Sequence, residues 1–217
     1  MQFLATLNEL IFPIRCISCG QLGLSICSQC RRGWNPHLYT THLPTLIVIA
    51  SVPYSPIAQK ILLSAKESQI KSADELVSGA ISHGIEMFLR SERCDFLVPI
   101  PSRATVVRKR GRQFINDMAQ ESSERFQLPV IELLTHTRKV RDQSGLHLKE
   151  RWNNLEGAFV VTKKQQALGK ALLIDDLVTT GATLSEAARA LRYAGIEVVG
   201  AVTAAIAQPL RYRDEMG

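Results

Sequence analysis

No apolar run in this sequence approaches the roughly 20 residues needed to span a bilayer. The longest stretch, residues 198–207, is broken by Gly200 and Thr203. No membrane insertion is therefore expected. The N-terminal residues 1–15 have no basic leader, carry Glu9, and run into Pro13 where a signal peptide would have small residues for cleavage. They are expected to form a short helix, and the protein is expected to be cytoplasmic. Internal repeats and low-complexity tracts are absent as well, and the composition gives no sign of disorder.

Cysteine is scarce but not scattered. Four of the five cysteines, Cys16, Cys19, Cys27 and Cys30, form two Cys-x-x-Cys pairs, and Cys94 stands alone. This pattern points to metal ligation in a reducing compartment. Four thiolates can wrap tetrahedrally round one Zn²⁺, and a segment with almost no core of its own then gains its folding free energy from the metal. Two disulfides or redox-active pairs are the competing readings. His37 and His42 are alternative ligands, although lone histidines more often read as surface residues, and Cys94 reads as a small buried apolar side chain.

What the chain does have is material for one good core and a small appended module: 217 residues, 46% apolar and 21% charged. A formal charge of +6 favours anionic partners, either phosphate-bearing small molecules or nucleic acid. Composition shifts near residue 45, which divides the chain into residues 1–45, rich in Cys, Gly, Pro and turn formers, and residues 46–217. In the larger part β runs are expected at 46–52, 95–100, 130–134, 158–162, 171–174 and 196–205. Helices are expected at 57–66, 73–90, 114–126 and 182–193. The polar, basic segment 138–154 is expected to be a long loop, which inside a compact domain is usually functional. The strand, helix, strand order of the last third predicts α/β architecture with a parallel sheet and a right-handed crossover.

The chemistry concentrates where strand 171–174 ends in Asp175 and Asp176 and is followed by Leu177, Val178, Thr179, Thr180, Gly181, Ala182 and Thr183. A helix N-terminus offers unpaired N–H groups and partial positive charge, so a phosphate can sit there without a lysine. The Thr179, Thr180 and Thr183 hydroxyls add donors, and Gly181 lets the backbone come close. The two acids are acceptors suited to the vicinal hydroxyls of a sugar. An ordinary capped strand-to-helix connection would need only one such Asp or Thr.

This segment resembles the signature of type I phosphoribosyltransferases. The resemblance implies a Rossmann-like, mainly parallel sheet. It also implies that 5-phosphoribosyl-1-diphosphate binds with Mg²⁺, its 5-phosphate on the loop Val178, Thr179, Thr180, Gly181, Ala182 and Thr183 and its ribose on Asp175 and Asp176. Further segments extend it: Val98, Pro99, Ile100, Pro101, Ser102 and Arg103; Arg108, Lys109, Arg110 and Gly111; Asp142, Gln143, Ser144, Gly145 and Leu146; and Arg151 through to Phe159. Together with the four-cysteine start, these resemble the ComF family of competence-associated phosphoribosyltransferase-like proteins over nearly the whole chain. The family pattern has an aromatic and Asn-Gln after Gly111, where this chain has Arg112 to Asn116. It often has an aromatic where Glu67 follows Lys66.

By this resemblance Ser102 and Arg103 belong to the diphosphate loop and 138–154 to a loop that closes over the site. Departing diphosphate builds negative charge, which Mg²⁺ and guanidinium groups stabilise. Arg103 and Arg151 are the expected cations, and closure would exclude water. The implied partner is phosphoribosyl diphosphate or a related ribose phosphate, in a pentosyl transfer or in sensing. No glutaminase nucleophile arrangement is present. The alternative function is a binding module for single-stranded DNA or competence-machinery proteins in DNA uptake. In that reading Arg103, Arg108, Lys109, Arg110, Arg112, Arg138, Lys139 and Arg141 would form a track, although only Phe114 and Trp152 lie nearby for stacking. A solvated basic face is the plainer reading of each cation taken singly.

Overall fold

The structure, a computed structural model, describes residues 14–137, 157–162 and 169–207. The expected N-terminal helix, the segment 138–154 and Arg151 lie outside the described residues.

Five strands form the main sheet in the order β1-β2-β7-β6-β3, where β1 is Tyr39–Leu43, β2 Leu46–Pro53, β3 Phe96–Pro99, β6 Lys170–Val178 and β7 Glu197–Ile206. β1 pairs antiparallel with β2, and the other three pairings are parallel. A separate antiparallel ribbon joins β4, Leu134–His136, to β5, Phe159–Val161. The expected run at 130–134 is split: Val130 bridges to Leu97 at the sheet edge, and Leu134 opens β4. The expected α/β class with a mainly parallel sheet is what the molecule has.

Both faces of the sheet are covered, as parallel strands require, and this explains why the strands read as continuous apolar runs. On one face Ile49, Val52, Leu172, Ile174, Val202 and Ala204 pack against helices α2, Pro56–Ser68, α3, Lys71–Leu89, and α5, Phe114–Phe126. On the other, Val48, Ala50, Ala171, Leu173 and Ala201 pack against α6, Ala182–Tyr193, and the β4–β5 ribbon. α2 starts sharply because the Ser55 side chain accepts from the Ala58 N–H and Pro56 stands in the first turn. α3 sits close to the sheet: a Cβ on Gly84 would lie 2.6 Å from Val202 Cγ1, so any larger residue there would push the helix away.

The described part of the N-terminal module carries the short helix α1, Ser28–Gly33, and ends in β1. It is not an independent bead. Cys16, Ile26, Cys27, Cys30 and Trp34 belong to the same apolar cluster as α2 and α3. Trp34 is only 2% exposed, and its indole N–H donates to the Leu76 carbonyl at 3.2 Å. Lys60 of α2 donates to the Ser18 carbonyl at 2.6 Å.

One expectation is corrected, and one element was not expected. The strand does not stop before the acids: β6 runs through Asp175 and Asp176 to Val178, because β7 continues beside it with Asp175 opposite Thr203 and Leu177 opposite Ala205. The basic residues after Arg103 include a short helix, α4, Ala104–Arg110, none of whose residues is buried.

Candidate functional site

Parallel pairing puts the carboxyl ends of β3 and β6 side by side, with Pro99 opposite Ile174 and the Ile100 N–H donating to the Ile174 carbonyl at 2.9 Å. The loop of Pro101, Ser102 and Arg103 and the loop of Thr179 to Gly181 therefore leave the same sheet edge, where open α/β sheets hold their ligands.

Asp175 and Asp176 sit at this edge on successive strand positions; their Cβ atoms leave toward opposite faces, yet the two carboxyl groups stay close enough to interact. Leu172 and Ile174 belong to the α2–α3 face, and Asp176 follows them, reaching the ammonium of Lys66 in the last turn of α2. Asp175 takes the other side, and its Oδ1 accepts from the Asp176 N–H at 2.9 Å. Asp175 is half-buried. Burial pushes its carboxyl well above the usual carboxylate range, the Asp176 charge adds to that, and Lys66 opposes it.

Beyond the acids the chain turns through Thr179, Thr180 and Gly181 into α6. Gly181 is the N-cap with φ +75°, in the left-handed region, and a Cβ there would strike the Leu43 side chain. Thr180 is buried and its hydroxyl accepts from the Ala182 N–H at 3.3 Å, so it braces the loop. Ala182 is buried, Thr183 is half-buried, and the first turn of α6 begins right after this loop.

Arg103 is the half-buried N-cap of α4. A residue that sequence reasoning missed stands over its loop. His136 of β4 lies against the Phe159 ring at 4.8 Å between centroids, and its Nε2 is 3.1 Å from the Pro101 carbonyl. Burial lowers the His136 pKa, the Pro101 carbonyl opposes this, and the Arg103 charge adds to the lowering. A neutral ring donating from Nε2 to Pro101 follows, and it ties the β4–β5 ribbon to the loop of Pro101, Ser102 and Arg103. A lone His in a short strand carries no sequence signal for this.

Three cations of the basic segment, Lys109, Arg110 and Arg112, are engaged in ion pairs. Arg110 and Lys109 pair with Glu67 at the end of α2, Arg110 Nε at 3.0 Å from Oε1 and Lys109 Nζ at 3.9 Å from Oε2. Arg112 makes a two-pronged contact with Asp74 at 2.7 and 2.8 Å, donates to the Ala65 carbonyl at 2.9 Å and lies over the Phe114 ring. Arg110 and Arg112 are thus structural ties, with side chains 17% and 16% exposed. Both departures from the family pattern, Glu67 and Arg112, are engaged in these ties.

In the N-terminal module the ligating atoms of Cys16, Cys19, Cys27 and Cys30 all lie within 4.8 Å of one another. All five cysteines are free thiols, and Cys94 is buried as expected. Cys19 and Cys27 sulfurs are 3.6 Å apart, close to the edge of about 3.8 Å that Zn–S bonds of about 2.3 Å give a tetrahedron. The Cys27 N–H donates to Cys16 Sγ at 3.4 Å, and the Cys30 N–H to Cys27 Sγ at 3.5 Å. Burial alone would raise the Cys16 pKa, but backbone N–H groups of Cys27, Cys19 and Ser18 bring it down to about 6. Burial and the neighbouring sulfurs push Cys30 up to about 12. This donor set could hold a metal such as zinc. The acid pair offers the hard oxygen donors that Mg²⁺ prefers, although Asp176 already carries a cation in Lys66.

Among the described residues, no helix is long and apolar enough to cross a membrane. No family model matches the chain. It is 30% identical over 109 residues to Competence protein F of Haemophilus influenzae, a match covering 48% of this chain and 46% of that protein. The chain thus spans about half the length of this curated relative. Among solved structures it is similar to an adenine phosphoribosyltransferase, with TM-score 0.45, 11% identity, and 83% and 91% of the two chains covered. The Saccharomyces cerevisiae adenine phosphoribosyltransferase gives TM-score 0.41 and 11% identity over 82% and 88%. The UMP synthase of Leishmania donovani gives TM-score 0.39 and 20% identity, over 93% of this chain and 35% of that one.

Proposed function

We propose that this protein binds 5-phosphoribosyl-1-diphosphate with Mg²⁺ at the carboxyl edge of β3 and β6, for pentosyl transfer to an acceptor. The observation that carries the reading is the juxtaposition at one edge of an acid pair, a left-handed glycine opening a helix, and the Arg103 loop. In this reading residues 1–45 are a structural zinc module, held by Cys16, Cys19, Cys27 and Cys30, which lends β1 to the sheet of the ligand-binding domain, 46–217.

Each group then has a task. The N–H groups from Thr179 to Thr183 take the 5-phosphate, and Gly181 allows the approach. Asp175 and Asp176 accept from the ribose hydroxyls and fix the ring. Ser102 and Arg103 receive the diphosphate, where guanidinium charge stabilises the leaving group as the C1–O bond breaks. His136 holds that loop in place through Pro101, and Arg151 would add a second cation. Mg²⁺, when bound with the ligand, neutralises diphosphate charge.

The competing function as a single-stranded-DNA module is disfavoured by the ion pairs of Arg110 and Arg112, which withdraw two cations from any continuous track. The two readings separate by mutation and salt. Arg103→Ala should weaken binding of phosphoribosyl diphosphate about 10- to 100-fold, the range for losing a hydrogen bond to a charged group. Lys109→Ala should change it by less than about fivefold, the upper scale of an exposed ion pair. DNA affinity falling with a slope near −0.7 per phosphate neutralised, flattened by Lys109→Ala and accompanied by no ligand binding, would establish the DNA module instead.

A further inference from the structure

We propose that Lys66 is a tethered counter-ion, a positioning residue that keeps the acid pair closed to free divalent metal until a ligand arrives. The role rests on the acid pair being the ligand's site, but it concerns a residue that the ligand scheme above does not use.

Lys66 is delivered by α2, whose last turn and C-cap are tied down by contacts from the Arg110–Arg112 segment. Glu67 pairs with Arg110, the Gln69 side chain donates to the Arg110 carbonyl at 2.7 Å, and Arg112 donates to the Ala65 carbonyl. The lysine stem is thereby aimed across the sheet edge at Asp176. Both partners are largely covered, with side chains 23% and 10% exposed. An ion pair so placed is screened far less than one on an open surface.

Two adjacent carboxylates at a strand end would ordinarily attract a hydrated divalent cation. Here an ammonium already stands at one of them. A second, doubly charged cation brought to the same carboxylates meets the Lys66 charge in a poorly screened site, and Mg²⁺ gives up its water reluctantly. A sugar diphosphate that carries its own metal faces no such barrier. Its hydroxyls are neutral donors to the carboxylates, and its metal would arrive with its charge already partly neutralised by the diphosphate. The pair therefore favours ordered entry, with metal arriving on the ligand.

The test uses Mn²⁺ alone on the full-length chain with the cysteine module loaded with zinc, read by Mn²⁺ electron paramagnetic resonance, so it needs no sugar phosphate. Wild-type protein should show no saturable Mn²⁺ site that Asp176→Asn removes. Lys66→Met should gain one site, about tenfold tighter or more than any in wild type, and the Lys66→Met/Asp176→Asn double variant should lose it. Lys66→Arg, which keeps the charge, should behave as wild type. A wild-type Mn²⁺ site abolished by Asp176→Asn would overturn the proposal even if Lys66→Met failed to fold. A folded Lys66→Met that gains no site would overturn it too. Absence of phosphoribosyl diphosphate binding by wild type would sink the functional reading and leave these metal outcomes decisive on their own terms.

Discussion

Removing the metal from the cysteine module, by a chelator or by Cys16→Ser with Cys30→Ser, is expected to unfold that module and to lower the melting temperature of the whole chain. The module has little core of its own. What it buries, it buries against α2 and α3 through Ile26 and Trp34. In small zinc-finger peptides the metal contributes about 10–16 kcal/mol at pH 7. Here a part of that is shared with the packing around Trp34, and a loss of about 4 kcal/mol would lower the melting temperature by roughly 8–16 °C in a domain of this size. Trp34 reports the event directly, because its fluorescence should shift to the red as the ring leaves its 2% exposed site. Trp152, the second tryptophan, is replaced by Phe for the measurement. Elemental analysis should find one zinc per chain in wild type and none in the double variant. A metal-free protein with Trp34 still buried and an unchanged melting temperature would refute the structural role.

The second large effect concerns the acids, and it runs in opposite directions with and without ligand. Asp175 has its carboxyl raised well above the ordinary range by burial and by Asp176. A group whose folded pKa is raised binds its proton more tightly in the folded state, so folding gains from it at low pH. That gain is lost as pH rises from the ordinary carboxylate range through the folded value. At pH 7 to 8 Asp175→Asn should therefore leave the ligand-free protein as stable or more stable, by about 2–4 °C for each kcal/mol recovered. The same change, combined with Asp176→Asn, should abolish the rise in melting temperature that phosphoribosyl diphosphate and Mg²⁺ give wild type. At a ligand concentration of 100 times Kd that rise corresponds to about 2.7 kcal/mol. Higher stability with lost binding marks carboxylates kept for a ligand. A double variant that retains the full ligand-induced rise would refute their assignment.

Much of this was legible in the sequence for physical reasons. The last third reads clearly because β6 and β7 are buried on both faces and need uninterrupted apolar runs, while Gly195 follows α6 in the left-handed conformation. The four cysteines carry their geometry in their spacing. β1 escaped notice because Tyr39–Leu43 is short and contains two threonines and a histidine, with its other side not paired in the sheet. Its register comes from the hairpin turn at Pro44 and Thr45, which pairs Leu43 with Leu46. α4 was hidden because a helix that buries nothing has no apolar period to detect. The strand extension through Asp175 and Asp176 is a tertiary effect: two acids have poor strand propensity, and pairing with Thr203 to Ala205 overrides it. Lys66, Arg112 and His136 were out of reach for a related reason. Each acts through a partner distant in sequence, Asp176, Asp74 and Pro101 respectively, and no local pattern encodes such pairings.

The edge shared by β3 and β6 is the proposed phosphoribosyl diphosphate site. Isothermal calorimetry of the zinc-loaded, full-length protein against phosphoribosyl diphosphate, with and without Mg²⁺, tests it most directly. The account predicts saturable binding of one ligand per chain that strengthens with Mg²⁺, weakens with Arg103→Ala and vanishes in the Asp175→Asn/Asp176→Asn variant. No saturable binding by folded wild-type protein in the presence of Mg²⁺, or equal binding by the double variant, would contradict it.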